Sequence, residues 1–147
     1  MALMRLIYFS EIKLRLVGRA RQISELRNVS VDRNRQVQVT GALVYDDLFF
    51  VQALEGEPRA VKSTFDRIVR DKRHANAKII RAADIPSRLF GEWSMGFATR
   101  NARTESLFGL HWCNRGMNPG SMTEKDILTL MVELSRMGAM GSRAKAA

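Results

Sequence analysis

Residues 48–54 read Leu48-Phe49-Phe50-Val51-Gln52-Ala53-Leu54, an apolar run that contains a single amide. Side chains alternate across a β-strand, so Gln52 shares one face with Phe50 and Leu54, while the other face carries Phe49, Val51, Ala53 and Glu55. Both faces are largely apolar, which predicts a central strand covered on both sides. A buried amide without partners costs roughly 1–3 kcal/mol. Gln52 therefore either pairs within the core or serves a polar ligand.

The segments around this strand predict the order β-α-β-β-α-β. We expect strands at 3–9, 39–45, 48–55 and 77–82, and helices at 19–32 and 60–70. Asp46-Asp47 joins the second and third strands as a hairpin without the favoured Asn-Gly turn. This order is typical of an α+β ferredoxin-like sandwich, in which two helices pack on one face of an antiparallel sheet. An additional strand is expected at 93–99.

A helical cap is expected after residue 103 to cover the free face of the sheet or to lie in a subunit interface. Ser121-x-x-Glu124 has the spacing of a capping box. An amphipathic stripe follows it, formed by Ile127, Leu130, Met131, Leu134 and Met137. The chain is thereby divided into a main domain at 1–100, a C-terminal helical cap at 101–137 and a Gly/Ala-rich, basic flexible tail at 138–147.

Composition favours one intracellular domain. The chain has 147 residues and one cysteine, Cys113, which excludes an internal disulfide and a multi-cysteine metal cluster and fits a reducing compartment. The N-terminus lacks a signal-peptide pattern, and no apolar stretch approaches the roughly 18 residues of a membrane span. We therefore expect a cytoplasmic protein with no membrane partner.

The formal charge of +9 raises the question of nucleic acid. The basic residues are scattered over predicted helix faces and loops, and aromatic residues are not interleaved with them as a single-strand platform requires. Solvated helix faces account for this pattern better than a nucleic-acid site does. A basic ferredoxin-like module that binds nucleic acid or protein without a cofactor remains the alternative interpretation.

Enzyme signatures are absent from the sequence. No Gly-rich phosphate loop and no Ser-His-Asp order occur. His74 and His111 are too few and too far apart to indicate a metal site. We expect neither a catalytic centre nor a bound metal.

Four polar or amphipathic residues lie at the edge or inside of otherwise apolar elements: Tyr8, Asn34, Gln52 and Trp93. Two amides and a phenol suit a flat heterocycle with carbonyl and ring-nitrogen edges. Five blocks surround these residues, namely Leu6-Ile7-Tyr8-Phe9-Ser10, Asn34-x5-Thr40-Gly41-Ala42-Leu43, Phe49-Phe50-Val51-Gln52-Ala53-Leu54-Glu55-Gly56, Arg70-Asp71-Lys72-Arg73-His74 and Arg88-Leu89-Phe90-Gly91-Glu92-Trp93-Ser94-Met95. In order and spacing they closely resemble the BLUF family, the blue-light sensors that use flavin.

The resemblance implies a photochemical pair. Tyr8 matches the tyrosine that gives an electron and then a proton to the photoexcited flavin. Gln52 matches the glutamine between that tyrosine and the flavin N5 and C4=O, whose amide rotates or tautomerises as a hydrogen-bond switch. The cofactor implied is FAD, with FMN or riboflavin as alternatives.

The resemblance also implies the remaining site residues. Asn34 matches the residue that holds the C4=O and N3–H edge of the flavin, and Leu26 and Ile68 match the helix positions on either side of the ring. Asp71, Arg73 and His74 match positions near the O2 side. Trp93 and Met95 match the signal relay, with no pose assigned to either. The chain departs from the usual pattern at Arg33, where many members carry Asn or His.

The leading hypothesis is a short, stand-alone, non-enzymatic photoreceptor. Light would reorganise the Gln52 amide and shift the last strand and the C-terminal helices. We expect the signal to pass in trans to a downstream effector protein, and we expect a homo-oligomer.

Overall fold

The structure, a computed structural model, describes residues 2–141. Its strands are β1 (Leu3–Ile12), β2 (Thr40–Tyr45), β3 (Phe49–Gly56), β4 (His74–Ile85) and β5 (Gly96–Thr99). Its helices are α1 (Arg19–Gln36), α2 (Pro58–Val69), α3 (Glu105–His111) and α4 (Glu124–Arg136). The strands form one sheet in the order β4-β1-β3-β2-β5. The α+β class, the β-α-β-β-α-β core and the additional strand are thus confirmed.

The four strands of the β-α-β-β-α-β core form the expected antiparallel sheet, and the additional strand makes the whole sheet mixed. The pairs formed by β1, β2, β3 and β4 are antiparallel, but β5 pairs parallel with β2, with Leu43 opposite Phe97. The reason is topological. Residues 86–95 carry the chain from β4 at one edge to the opposite edge, where it enters beside β2 in the same direction.

The strand-parity argument correctly separated the two faces of β3. Phe50 and Leu54 pack with Tyr8 and with Ile23 of α1 and Val61 of α2. The opposite face, with Val51 and Ala53, packs against α4 through a group of fully buried side chains: Ile127, Leu130, Met131 and Leu134. The free face of the sheet is therefore covered by the C-terminal helix within the same chain.

Local signals explain several element boundaries. Pro58 begins α2, where its missing N–H costs nothing, and the Glu57 carboxylate caps that helix by accepting from the Ala60 N–H at 3.1 Å. In the β2–β3 hairpin, Asp46 Oδ1 accepts from the backbone N–H groups of Leu48 and Phe49, each at 2.8 Å. This side-chain turn replaces the favoured Asn-Gly sequence.

Other elements begin or end at residues different from those expected from the sequence. Helix α1 extends four residues past the expected 19–32, which places Asn34 in its last turn. Strand β4 is longer than 77–82 because β1 offers partners along its whole length. Strand β5 begins only at Gly96, and the helical cap expected at 101–137 contains α3 in addition to α4.

The capping box at Ser121-x-x-Glu124 was wrong by two residues. The cap of α4 is Thr123, whose hydroxyl accepts from the Asp126 N–H at 3.1 Å. Ser121 instead ends a short 3-10 turn at 119–121. A threonine at this position satisfies the same unpaired helix N–H that serine would.

The expected tail at 138–147 is described only up to Gly141. Within that part, Met140 is buried in the α4-side core, and Gly141 bridges Phe97 of β5. Residues 142–147 lie outside the described part of the chain, as does the rest of that prediction. Among residues 2–141, no helix is long and apolar enough to cross a membrane.

Candidate functional site

Tyr8 and Gln52 lie directly opposite each other on neighbouring strands. Tyr8 of β1 is the register partner of Gln52 of β3, so both side chains point to the α1–α2 face of the sheet. Both are almost completely buried, at 2% and 3% exposure. The Tyr8 hydroxyl donates a hydrogen bond to Gln52 Oε1. Strand parity alone allowed Tyr8 and Gln52 to share a face of the sheet. The sheet register places them opposite each other, so that their side chains come into contact.

The other end of the Gln52 amide faces Met95. Gln52 Nε2 lies 3.2 Å from Met95 Sδ, in contact with a fully buried side chain. Burial raises the pKa of Tyr8 far above its ordinary value, and the negative charge of Asp71 raises it further. The phenol therefore stays protonated, and in this structure its hydroxyl donates to the amide oxygen of Gln52.

Asn34 connects α1 to the segment that precedes β5. Its side chain is buried, and Nδ2 donates to the Ser94 carbonyl oxygen at 2.9 Å. Trp93, on the other side of Ser94, packs with the α4-side core, and its carbonyl accepts from the Gly41 N–H at 3.0 Å. Of the two residues expected in the signal relay, Met95 faces Gln52, whereas Trp93 packs on the opposite side of the sheet.

Gly41 allows β2 and β3 to lie close together beside the site. A Cβ at Gly41 would clash with the backbone carbonyl of Ala53 on β3. Only glycine fits at this point of β2. The Thr40-Gly41 block is therefore needed for packing beside the site.

Two adjoining clefts open between α1 and α2 over this face of the sheet. Both are lined by Leu26, Ser30, Gln52, Ile68, Asp71 and Arg73. The inner cleft adds Tyr8, Leu43, Phe50 and His74. The outer cleft adds Val29, Arg33, Asn34, Thr64 and Arg67. Every cofactor-binding residue expected from the sequence lines one cleft or the other, whereas Met95 reaches the site through Gln52.

The Asp71–Arg73 pair, just after the end of α2, lines both clefts, and His74 lines the inner one. His74 Nε2 lies 2.6 Å from the Ile68 carbonyl and Nδ1 lies 2.7 Å from Ser10 Oγ. A carbonyl only accepts, so Nε2 carries a proton. Both ring nitrogens are therefore already engaged with protein atoms.

Asp71 and Arg73 form an ion pair with two guanidinium contacts. Arg73 Nε lies 2.9 Å from Asp71 Oδ1, and Nη2 lies 2.5 Å from Oδ2. The Arg73 hydrogen bond lowers the pKa of Asp71, and the same bond raises the pKa of Arg73. The two charges largely neutralise each other at the cleft.

Sequence reasoning missed several residues at the site, among them Ser10, Arg67 and Ser94. Ser10 shares the strand face of Tyr8, so parity could have identified it. Arg67 lies one residue before Ile68 and one turn after Thr64, so helical spacing placed it beside the cleft. The carbonyl of Ser94, in contrast, left no side-chain signal, because its role is a backbone contact.

The residues present fit a flavin. The clefts offer two amides that can each donate and accept, from Asn34 and Gln52, between the apolar side chains of Leu26 and Ile68. Flat heterocycles with alternating donors and acceptors require that combination. The inner cleft places a phenol within one hydrogen bond of an amide, which suits electron and proton donation.

Comparisons with known proteins agree with this geometry. The sequence profile of the BLUF family, described as sensors of blue-light using FAD, matches residues 3–96. The photoactivated adenylate cyclase subunit alpha of Euglena gracilis is 31% identical over 93 residues, which is 63% of this chain and 9% of that protein. The blue light- and temperature-regulated antirepressor BluF of Escherichia coli (strain K12) is 36% identical over 75 residues, covering 51% of this chain and 19% of that protein. The chain thus spans only a small part of these relatives.

Solved structures extend the similarity to the C-terminal helices. BlsA in its photo-activated state superposes with a TM-score of 0.79 at 27% identity, covering 97% of this chain and 99% of that one. The dark-state structure of BlrB, a BLUF protein, gives 0.65 at 29% identity, covering 87% of this chain and 96% of that one.

Proposed function

The chain belongs to the BLUF family of flavin-based blue-light sensors, and from this premise we propose that Tyr8, Gln52 and Met95 form its light-responsive switch. The single observation that carries the proposal is the chain of contacts from the Tyr8 hydroxyl through the Gln52 amide to Met95 Sδ. The domain is a sensor rather than an enzyme.

We propose FAD as the flavin of this chain. A flavin bound in the clefts would supply the absorption of blue light and an acceptor for one electron. Asn34 and Gln52 would hold its polar edge, and Leu26 and Ile68 would cover its faces. The Asp71–Arg73 pair and His74 would border the site from the end of α2.

Tyr8 would supply the electron and the phenolic proton. Its burial keeps the hydroxyl protonated in the dark, and its hydrogen bond aims that proton at Gln52 Oε1. A donor buried in this way is shielded from competing exchange with water.

Gln52 would change hydrogen-bond partners. Its amide has one end on Tyr8 and the other on Met95. Rotation or tautomerisation would therefore change the hydrogen bond at Tyr8, whose hydroxyl can donate or accept, and the contact at Met95, whose sulfur can only accept. Two states with different contacts are the requirement for a switch. The altered contact at Met95 directly precedes β5, and Ser94 beside it is tied to Asn34.

The output would travel through β5 to the C-terminal helices. Gly96 of β5 lies against Met140, and Phe97 bridges Gly141, so a shift at Met95 has a short path to the segment after α4. We propose that a downstream effector protein in trans reads this shift, that the protein acts as a homo-oligomer, and that it works in the cytoplasm. Family membership disfavours the alternative of a flavin-free nucleic-acid or protein binding module.

Absorption spectroscopy of protein reconstituted with FAD tests the proposal. Wild-type protein should show a flavin band that shifts reversibly to the red under blue light. Tyr8→Phe should bind flavin but lose the shift, because the donor hydroxyl is removed. Tyr45→Phe changes the other tyrosine of the chain, which lines neither cleft, and should keep the shift. A red shift that survives in Tyr8→Phe would refute the switch, and failure of the wild type to bind any flavin would refute the function.

A further inference from the structure

The chain after α4 turns back and pairs with β5 at the edge of the sheet. Gly138 has the left-handed conformation, with φ 73°, that commonly ends a helix. Gly141 then forms an isolated antiparallel bridge with Phe97, in which each backbone N–H donates to the other carbonyl, at 2.8 and 3.3 Å. In the described part of the chain β2 is the only strand that pairs with β5. Residues 139–141, which we call the terminal segment, therefore cover the outer edge of β5.

Met140 holds the terminal segment in a hollow beside β5. Its side chain is buried and lies over Gly96, because a Cβ built on Gly96 would be 2.7 Å from Met140 Cγ. The Trp93 ring borders the same hollow, 3.4 Å from that Cβ position. The hollow thus exists because Gly96 has no side chain, and it accepts a flexible apolar residue such as methionine.

A guanidinium group without a carboxylate lies beside the backbone of Gly141. Within residues 2–141, Arg27 of α1 forms no ion pair, and its Nε is buried without a hydrogen-bond partner. A Cβ at position 141 would lie 3.8 Å from Arg27 Nη1. A carboxylate on that residue could therefore reach the guanidinium group and accept two of its hydrogen bonds. Gly141 covers the strand edge but leaves Arg27 unpaired.

We propose that the outer edge of β5 is the docking site for an extended segment of the downstream effector, and that the terminal segment occupies this site as an internal competitor. The effector segment would carry methionine or leucine followed by aspartate or glutamate. Its apolar residue would lie over Gly96, and its acidic residue would pair with Phe97 through the backbone and with Arg27 through the carboxylate. Neighbouring residues of a strand point to opposite faces, as these two contacts require.

The inference rests on the proposed function, because it names the surface through which an effector in trans would be recognised. A strand added to a sheet edge gains affinity from main-chain hydrogen bonds and specificity from its side chains. A second copy of this chain would bring the same Gly141 and would again leave Arg27 unpaired. The unpaired Arg27 therefore favours a different protein that supplies an acidic residue.

A peptide titration tests the docking site on the full chain. The probe is a fluorescent, C-terminally amidated peptide of residues 136–141 with Gly141→Asp, and the matched peptide carries Gly141→Asn. In the protein, Gly141→Pro removes the N–H that donates to Phe97 and so loosens the internal competitor. Fluorescence anisotropy should then show at least about tenfold tighter peptide binding than to wild-type protein, because a tethered competitor acts at high effective concentration.

Substitutions in the Gly141→Pro protein separate the two contacts. The aspartate peptide should bind about five- to tenfold more tightly than the asparagine peptide. Arg27→Gln should abolish this difference, whereas Arg35→Gln, exposed on the same helix, should keep it. Gly96→Ala fills the hollow and should weaken both peptides about tenfold. Gly109→Ala is its control, since a Cβ there meets nothing within 4 Å.

Hydrogen exchange provides a second test that needs no peptide and no proline variant. Gly141→Asp gives the terminal segment the carboxylate that Arg27 lacks, so exchange of the Phe97 N–H should slow by about three- to tenfold. Combining Gly141→Asp with Arg27→Gln should return the exchange rate to that of Arg27→Gln alone. An unchanged rate in Gly141→Asp would contradict the pairing with Arg27.

Other results would also overturn the inference. They are equal affinity for the aspartate and asparagine peptides, and peptide binding that is insensitive to Gly96→Ala. Dimerisation of the Gly141→Pro protein that Gly96→Ala abolishes would assign the edge to a second copy instead of an effector. The experiments use neither light nor added flavin, so their failure leaves the photochemical switch standing, and a missing red shift leaves the docking site standing.

Discussion

Gln52 has a partner at each end of its amide. The Tyr8 hydroxyl donates to Oε1, and Nε2 faces Met95 Sδ. The two contacts differ in strength, because a thioether is a weak acceptor. The amide is thus held firmly by Tyr8 and loosely by Met95, which makes the Met95 side the easier one to exchange.

A double-mutant cycle on the apoprotein would measure the Tyr8–Gln52 contact. Gln52→Leu leaves the buried Tyr8 hydroxyl without its acceptor and should lower the free energy of unfolding by about 1–3 kcal/mol. Tyr8→Phe removes the donor and should have a smaller effect. The double variant should lose less than the sum of the two, with a coupling of about 1–2 kcal/mol. Urea unfolding gives these values, and strict additivity would show that the contact contributes nothing to the fold.

Glu55 determines how the chain crosses the sheet. Its side chain at the end of β3 is fully buried and pairs at 2.8 Å with Arg5 of β1. It also accepts from the backbone N–H groups of Leu89 and Phe90 at 2.8–3.0 Å. Arg88 adds bonds of 2.9 Å to Thr40 Oγ1 and to the Glu55 carbonyl. Together these contacts hold the β4–β5 connection against the sheet, just before Trp93-Ser94-Met95.

Glu55→Gln should therefore destabilise the protein more than an ordinary surface change. The variant keeps the volume of the side chain, but it leaves the partly buried Arg5 without its countercharge and weakens the bonds to Leu89 and Phe90. We expect a loss of roughly 2–3 kcal/mol in the free energy of unfolding. Glu133→Gln, which breaks an exposed ion pair with Arg136 on α4, should stay within about 0.5 kcal/mol. If Glu55→Gln and Glu133→Gln lowered the free energy of unfolding equally in denaturant, the contacts of Glu55 would contribute no more to stability than an exposed ion pair.

At the scale of the whole molecule, the sheet lies between two helical layers with different tasks. The α1–α2 layer contains the clefts, whereas α4 covers an apolar core on the other face. Trp112, after α3, donates from Nε1 to Asp46 Oδ2 at 2.8 Å. This hydrogen bond connects the C-terminal helical layer to the β2–β3 hairpin. The C-terminal helices are thus part of the same core as residues 3–96. Close-packed cores have low compressibility, so such a core transmits a displacement from one element to the next.

Removal of a single α4 core side chain tests this integration. Leu130 is fully buried against the sheet, so Leu130→Ala should cost about 2–5 kcal/mol. Leu110→Ala on α3, where the side chain is 75% exposed, should have little effect. One cooperative transition that shifts as a whole in Leu130→Ala is expected. A separate early transition of the helices, with the sheet unaffected, would mean that the cap folds independently.

The sequence alone determined the local features of this protein. Alternation over residues 48–54 gave the face of Gln52 and required two covers for β3, because strand periodicity is fixed by backbone geometry. The five motif blocks identified the family and the candidate residues Tyr8, Asn34 and Gln52. Boundaries were less accurate at α1 and β4, where tertiary partners, the Ser94 carbonyl and the full length of β1, extend the elements beyond their local signals.

Only the tertiary structure decided what depends on residues distant in sequence. Three features join segments more than 30 residues apart in sequence. They are the parallel pairing of β5 with β2, the hydrogen bonds between Glu55 and residues 88–90, and the contact of Met95 with Gln52. Arg33 and Arg67 line one cleft because the two helices that carry them pack on the same face of the sheet. Periodicity and propensity describe a residue relative to its neighbours in sequence, whereas these contacts are selected by the energy of the whole packed core, and so they appear only once the chain has folded.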